Sequence, residues 1–279
     1  MPRELYLVVD GMGGQVAGER AADVAANLIA MRLARRTGAP AKRVREAFAL
    51  ASTELSELAA RDPELKGMAC VATLALIEDD YVVVGLVGDS RLYLLEPGLI
   101  HKVTSDHSPV GEMEDAGQLS EAAAMHHSRR NEVYRDLGSA CDAPDDPDFV
   151  ETHTFVLREC SALLLCSDGL TDQVSSQEIR FIVEHHAGAP EAGALALIAA
   201  ANEAGGKDNV SAILIETTQY AAVPERTTAP TATYFRWRWF LTGLLQPRCC
   251  SVLCGLISKR RHPARGCALE RCGHRKHGW

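Results

Sequence analysis

Three aspartates in this 279-residue chain stand at the ends of apolar runs, two where a run stops and one just before a run starts. Asp10 follows Leu5-Tyr6-Leu7-Val8-Val9 and leads into Gly11-Met12-Gly13-Gly14; Asp168 follows Leu163-Leu164-Leu165-Cys166-Ser167 and leads into Gly169. Asp208-Asn209 stands directly before Val210-Ser211-Ala212-Ile213-Leu214-Ile215. An extended segment that halts at a carboxylate brings it to the lip of a sheet, and glycine there lets the backbone turn sharply and approach an ion closely. Asp-Gly alone is a common turn dipeptide; recurrence at three strand ends points to one metal site. Carboxylate oxygens suit hard ions such as Mg²⁺ or Mn²⁺, whereas soft sites recruit Cys and His. Two such ions roughly 3.5–4 Å apart share a bridging water, lower its pKa and supply a hydroxide that can attack phosphorus in line. Asp10 is the candidate bridge, Gly11 offers a backbone carbonyl, and Asp168 and Asp208 complete the first ion.

The elements that must position these groups follow from periodicity. After the glycine turn, apolar residues at helical spacing predict a helix over 19–36, with Arg32, Arg35 and Arg36 at the end that favours positive charge. Thr37-Gly38-Ala39-Pro40 stops it, and a second helix is predicted over 41–60. Strands are predicted over 70–77 and 81–87, joined as a hairpin by Glu78-Asp79-Asp80. Val82-Val83-Val84 is continuous, so that strand is expected to be covered on both faces. Gly88-Asp89-Ser90 breaks it before strands over 91–95 and 99–103. Residues 106–130 are polar with short helical fragments, a length of weak structure more often functional than idle; an extended stretch re-enters at 133–137. An acidic loop over 142–148 follows, then strands over 149–156 and 161–166, helices over 175–185 and 190–203, and a last strand over 210–215. Helices in pairs and strands in runs favour antiparallel sheets flanked by helices.

Composition narrows the function. The net charge of −8 divides into +9 from residue 220 onward and −17 before it. An acidic body excludes nucleic-acid binding, which needs a basic footprint, and suits a holder of divalent cations. Cys70, Cys141, Cys160 and Cys166 are scattered in the body, as expected of free thiols in a reducing cytosol. Two units are expected: a body over 1–219, and a basic Cys- and Trp-rich tail over 220–279 that does not fold as a domain. A membrane span over 239–257 is disfavoured by Gln246-Pro247-Arg248 in its middle.

Other groups read blandly. Gly88-Asp89-Ser90-Arg91 lacks the second glycine of a nucleophile elbow and reads as a strand break. His126-His127 and His185-His186 are adjacent pairs, which do not share a helix face. Arg129 and Arg130, in the polar insertion, are the candidates for meeting a substrate phosphate.

Taken in order, Val9-Asp10-Gly11-Met12-Gly13-Gly14 with Gly18-Glu19, Gly88-Asp89-Ser90-Arg91, Ser167-Asp168-Gly169-Leu170 and Gly206-Lys207-Asp208-Asn209-Val210 resemble the motifs of the type 2C, metal-dependent Ser/Thr protein phosphatases, in their bacterial branch. The resemblance implies an α+β fold: a four-layer α-β-β-α sandwich of two antiparallel sheets flanked by helix pairs. It implies two Mn²⁺ or Mg²⁺ ions on Asp10, Gly11, Asp168 and Asp208, with Asp106 of Thr104-Ser105-Asp106-His107-Ser108 holding a third. Phosphorylated Ser/Thr proteins would be the substrates and a cognate Ser/Thr kinase the counterpart, in the cytoplasm. The insertion after Ser108 resembles the family's mobile flap. The sequence also departs from the family pattern: two further strands, with a phosphate-gripping Arg and an Asn-Glu-Asp triplet, are expected ahead of the Asp10 strand and do not occur within it. Lacking them would weaken phosphate binding and leave a sheet edge open, so the alternative is a weak or inactive relative acting as a binding module. At Met12, eukaryotic members carry a histidine; with methionine, water must protonate the leaving alkoxide.

Overall fold

A computed structural model describes residues 4–139, 146 and 148–220. The tail past Tyr220 and most of the 142–148 loop lie outside the described residues. Strand β1 (Glu4–Met12) is followed by helices α1 (Gln15–Ala34) and α2 (Pro40–Arg61), then by strands β2 (Ala69–Glu78), β3 (Tyr81–Val87), β4 (Arg91–Glu96) and β5 (Leu99–Lys102). The polar insertion holds short helices α3 (Pro109–Asp115) and α4 (Glu121–Ala124). Strands β6 (Glu151–Val156) and β7 (Ala162–Cys166), helices α5 (Asp168–Thr171), α6 (Ser176–His185) and α7 (Pro190–Glu203), and strand β8 (Ala212–Glu216) complete the body. The stretch that re-enters at 133–137 meets the first sheet at its end, where Leu137 makes a single antiparallel bridge to Cys70 of β2.

Two four-stranded antiparallel sheets result, ordered β1-β2-β3-β6 and β5-β4-β7-β8. Period-two alternation sends each strand's residues to opposite faces. Val82 and Val84 of β3 point between the sheets with Val8, Ala75, Leu92, Leu163 and Leu165, whereas Val83 and Val87 meet α1 and α2 through Ala21, Ile29, Phe48 and Leu55. The outer face of the second sheet, with Tyr93, Leu95 and Leu164, is covered by Ile179, Val183, Leu197 and Ala201 of α6 and α7. Four layers, α-β-β-α, thus enclose three apolar cores, and the unbroken valine run is explained by burial on both sides. Tyr220, the first residue of the expected tail, is buried in the third of these cores. The β1 strand lies at the edge of its sheet, as the sequence led us to expect.

Close backbone contacts set the register of layers. A Cβ on Gly11 would fall 2.0 Å from the Gly18 carbonyl oxygen, so β1 and the first turn of α1 touch main chain to main chain. That contact alone accounts for a glycine at both positions.

Candidate active site

Tyr6 and Val8 face the second sheet, and the same alternation carries Asp10 to the end of the intersheet layer. Asp168 opens α5 directly after β7. Asp208 is brought beside it by an unusually close crossing: a Cβ on Gly169 would lie 2.2 Å from the Asn209 carbonyl oxygen. Ser167 fastens that crossing. Its N–H donates to Ser211 O, its hydroxyl donates to Asn209 O and accepts from the Ser211 N–H.

The carboxylates act on one another. Burial raises Asp10 above its ordinary value and Asp208 repels it further, against a hydrogen bond from Asp168 and one from the Gly11 N–H. Burial, with repulsion from Asp89, Asp10, Asp172 and Asp208, pushes Asp168 up to about 8. Asp10 and Asp168 thus stand within hydrogen-bond reach of each other, while Asp208 is exposed and acts on both by charge alone; of the three, Asp168 lines the cleft described below. One Asp168 oxygen, Oδ1, is buried without a hydrogen-bond partner. An orphaned carboxylate oxygen amid mutually repelling acids calls for a cation, and an all-oxygen donor set fits Mn²⁺ or Mg²⁺. Among the described residues no three His, Cys, Asp or Glu side chains converge on one point closely enough to cage an ion unaided.

Two acids missed by sequence reasoning belong here. Asp89, read as part of a strand break, is pushed up to about 7 by burial and by Asp106 and Asp10. Asp172 is raised by burial against the Arg130 guanidinium beside it. Both line a narrow cleft of about 30 Å³ with Asp168, Arg130 and Met125. Asp172 stands four residues after Asp168, a spacing that places both on one side of a helical turn. Asp89 repeats the pattern of a carboxylate halting an apolar strand.

The remaining candidates separate. Asp106 lines the same cleft but receives the Arg91 guanidinium, Nε at 3.1 and 2.9 Å from Oδ1 and Oδ2 and Nη2 at 2.6 Å from Oδ2. The same Nη2 lies 2.8 Å from Glu114 of α3, so Arg91 ties the root of the insertion to β4. Arg130 reaches Asp172 at 2.6 Å and borders the cleft, whereas Arg129 pairs with Glu132 in solvent. Glu121 of α4 accepts from the N–H and hydroxyl of Ser176, at 2.6 and 2.8 Å, which anchors the insertion to the start of α6. Gly11 is exposed, and its carbonyl lies against Gly18.

Comparison with known proteins places the chain among phosphatases. The family model described as Protein phosphatase 2C matches residues 3–196. The serine/threonine phosphatase stp of Listeria monocytogenes is 33% identical over 219 residues, which cover 76% of this chain and 84% of the relative. Protein phosphatase PhpP of Streptococcus pneumoniae is 32% identical over 217 residues, covering 76% and 85%. Among solved structures, the serine/threonine phosphatase PstP/Ppp of Mycobacterium tuberculosis superposes with a TM-score of 0.66 at 27% identity, covering 77% of this chain and 91% of that one. The catalytic domain of PstP in complex with two manganese ions gives 0.63 at 26% identity, covering 76% and 89%.

Proposed function

This chain belongs to the protein phosphatase 2C family, and on that premise we propose that it hydrolyses phosphoserine and phosphothreonine monoesters of proteins with two Mn²⁺ or Mg²⁺ ions. The observation that carries this reading is that Asp10, Asp168 and Asp208, distant in sequence, lie near enough to act on one another: Asp208 repels Asp10, and both repel Asp168. Asp10, the Gly11 carbonyl, Asp168 and Asp208 would hold the ions, and Asp106 is the candidate for a third. Bound there, the ions supply a nucleophilic water at neutral pH and neutralise charge on the phosphoryl oxygens.

The chain's own residues do the rest. Arg130 presents a guanidinium at the cleft wall, where a phosphoryl dianion needs a cationic partner. Asp89 and Asp172, both raised by burial, line the cleft beside Asp168 and add to its negative charge. The insertion, anchored through Glu114 and Glu121, walls the cleft against bulk water. The counterpart is a Ser/Thr kinase that writes the marks this chain removes. Among the described residues no helix is long and apolar enough to cross a membrane, which supports work in the cytoplasm.

Hydrolysis of p-nitrophenyl phosphate tests the reading. Activity that requires added Mn²⁺ and disappears in Asp168→Ala is the expected result. A folded chain that turns over nothing at millimolar Mn²⁺ overturns it and leaves the binding-module alternative.

A further inference from the structure

A second concavity of about 380 Å³ lies beyond the carboxylate cleft, bordered by Arg45, His107, Arg135, Asp148, Glu151 and Thr152. It wraps the β6 edge of the first sheet. Arg45, from α2, donates to the Thr152 hydroxyl at 2.8 Å, and Arg135 donates to the Asp148 carbonyl at 2.8 Å. Among the described residues neither guanidinium has a carboxylate partner within ion-pair distance, although Arg32, Arg43, Arg61, Arg91, Arg129 and Arg130 each have one. Two guanidinium groups held by hydrogen bonds alone, Arg45 exposed and Arg135 half-buried, thus face one hollow of an acidic body.

The hollow also holds converging donors. His107 Nδ1 accepts from the Gly88 N–H at 3.2 Å, so Nε2 carries the ring proton. That nitrogen lies 3.3 Å from Arg135 Nη1, another donor, and the two can share an anion's oxygen but not bond each other. Of the two acids at the rim, Glu151 Oε1 is occupied by the Ser105 N–H and His153 Nε2, and Oε2 lies 3.5 Å from His107; Asp148 is exposed.

Position ties the hollow to catalysis. Asp106 faces the carboxylate cleft and the next residue, His107, faces the hollow. Asp10 of β1 and Glu151 of β6 lie at the same end of one sheet, three strand spacings apart in the order β1-β2-β3-β6. At about 4.8 Å per spacing, with the register offset, that is roughly 15 Å, the reach of four to five extended residues.

We propose that the hollow between Arg45 and Arg135 binds a second phosphoryl group of the same substrate, four to five residues from the phosphoserine or phosphothreonine being hydrolysed. A phosphoryl dianion accepts bidentate donation from a guanidinium as a carboxylate does, and brings nearly two negative charges and a third oxygen to the two arginines. The proposal rests on the phosphatase reading above and narrows its substrates to multiply phosphorylated segments.

The test uses the full chain with Mn²⁺ and four versions of one phosphoserine peptide. The residue four positions away, on one side or the other, is phosphoserine, serine, glutamate or lysine. Expected is a KM about tenfold lower for the doubly phosphorylated peptide with kcat little changed, glutamate falling between, and lysine no better than serine. In Arg45→Ala the doubly phosphorylated peptide should fall to the KM of the single one. Arg135→Lys, which keeps the charge but not the fork, should show a partial loss. Fluorescence anisotropy of the same peptides on Asp168→Asn reads binding without turnover, so the site is tested even if the phosphatase reading fails. Equal affinity for singly and doubly phosphorylated peptides in both assays, or an Arg45→Ala effect of the same size on both, overturns the proposal. Equal gain from glutamate and phosphoserine overturns its choice of a phosphoryl group over a carboxylate.

Discussion

Arg130 Nε lies 2.6 Å from Asp172 Oδ2, joining the polar insertion to the residue that closes α5. Two adjacent arginines thus have unequal prospects. Arg130→Ala should lower kcat/KM on a phosphopeptide about tenfold, ~1.4 kcal/mol of transition-state stabilisation. Arg129→Ala, which removes only a solvent-exposed pair with Glu132, should leave it within experimental error. Steady-state kinetics on the two variants checks this, and equal losses would contradict the distinction.

The Gly169 contact with Asn209 predicts a local lesion. Gly169→Ala places a methyl group where main chain already lies, and overpacking of this kind costs about 1–3 kcal/mol. The Asp168 and Asp208 segments would be forced apart, so more Mn²⁺ should be needed for half-maximal turnover. Thermal melting and a Mn²⁺ titration measure the two effects.

The raised carboxyl of Asp168 makes the metal-free protein sensitive to pH. Its ordinary value is 3.8 and its folded value about 8, so the folded state binds the proton more tightly than the unfolded. The resulting stability is fully present below about pH 4 and is lost as pH rises through 8. Stripped of metal, the protein should melt at a lower temperature at pH 8.5 than at pH 6, and Asp168→Asn should flatten that slope. Mn²⁺, which replaces protons on its ligands, should raise Tm more at pH 8.5 than at pH 6. Scanning calorimetry with and without chelator reads all three.

Helix α6 offers a control remote from the chemistry. Ser175 caps it, accepting from the Glu178 N–H while Glu178 accepts from the Ser175 N–H and hydroxyl. Ser175→Ala should cost about 1 kcal/mol, seen as a fall of a few degrees in Tm, with kcat unchanged.

What could be read beforehand divides by physical range. Strand and helix order follows from periodicity, and helix α7 falls where the pattern places it because its apolar positions and Pro190 are local signals. Asp10, Asp168 and Asp208 were visible because each stands at the end of an apolar run. Asp89 carried the same signal after β3 and was set aside as punctuation, although a turn residue and a site residue can be one and the same. The pairing of Arg91 with Asp106 and Glu114 could not be read, since it depends on side chains 15 and 23 residues apart meeting in space.

Asp10 comes from one sheet, while Asp168 and Asp208 flank strands of the other. A cation gripped by all three would therefore act as a rivet through the sandwich, and its hold depends on how the two halves slide. Occupancy and alignment become a single thermodynamic variable. Substitutions deep between the sheets, at Val8 or Leu165 for instance, should loosen the rivet from a distance, and removing the rivet should let the halves breathe.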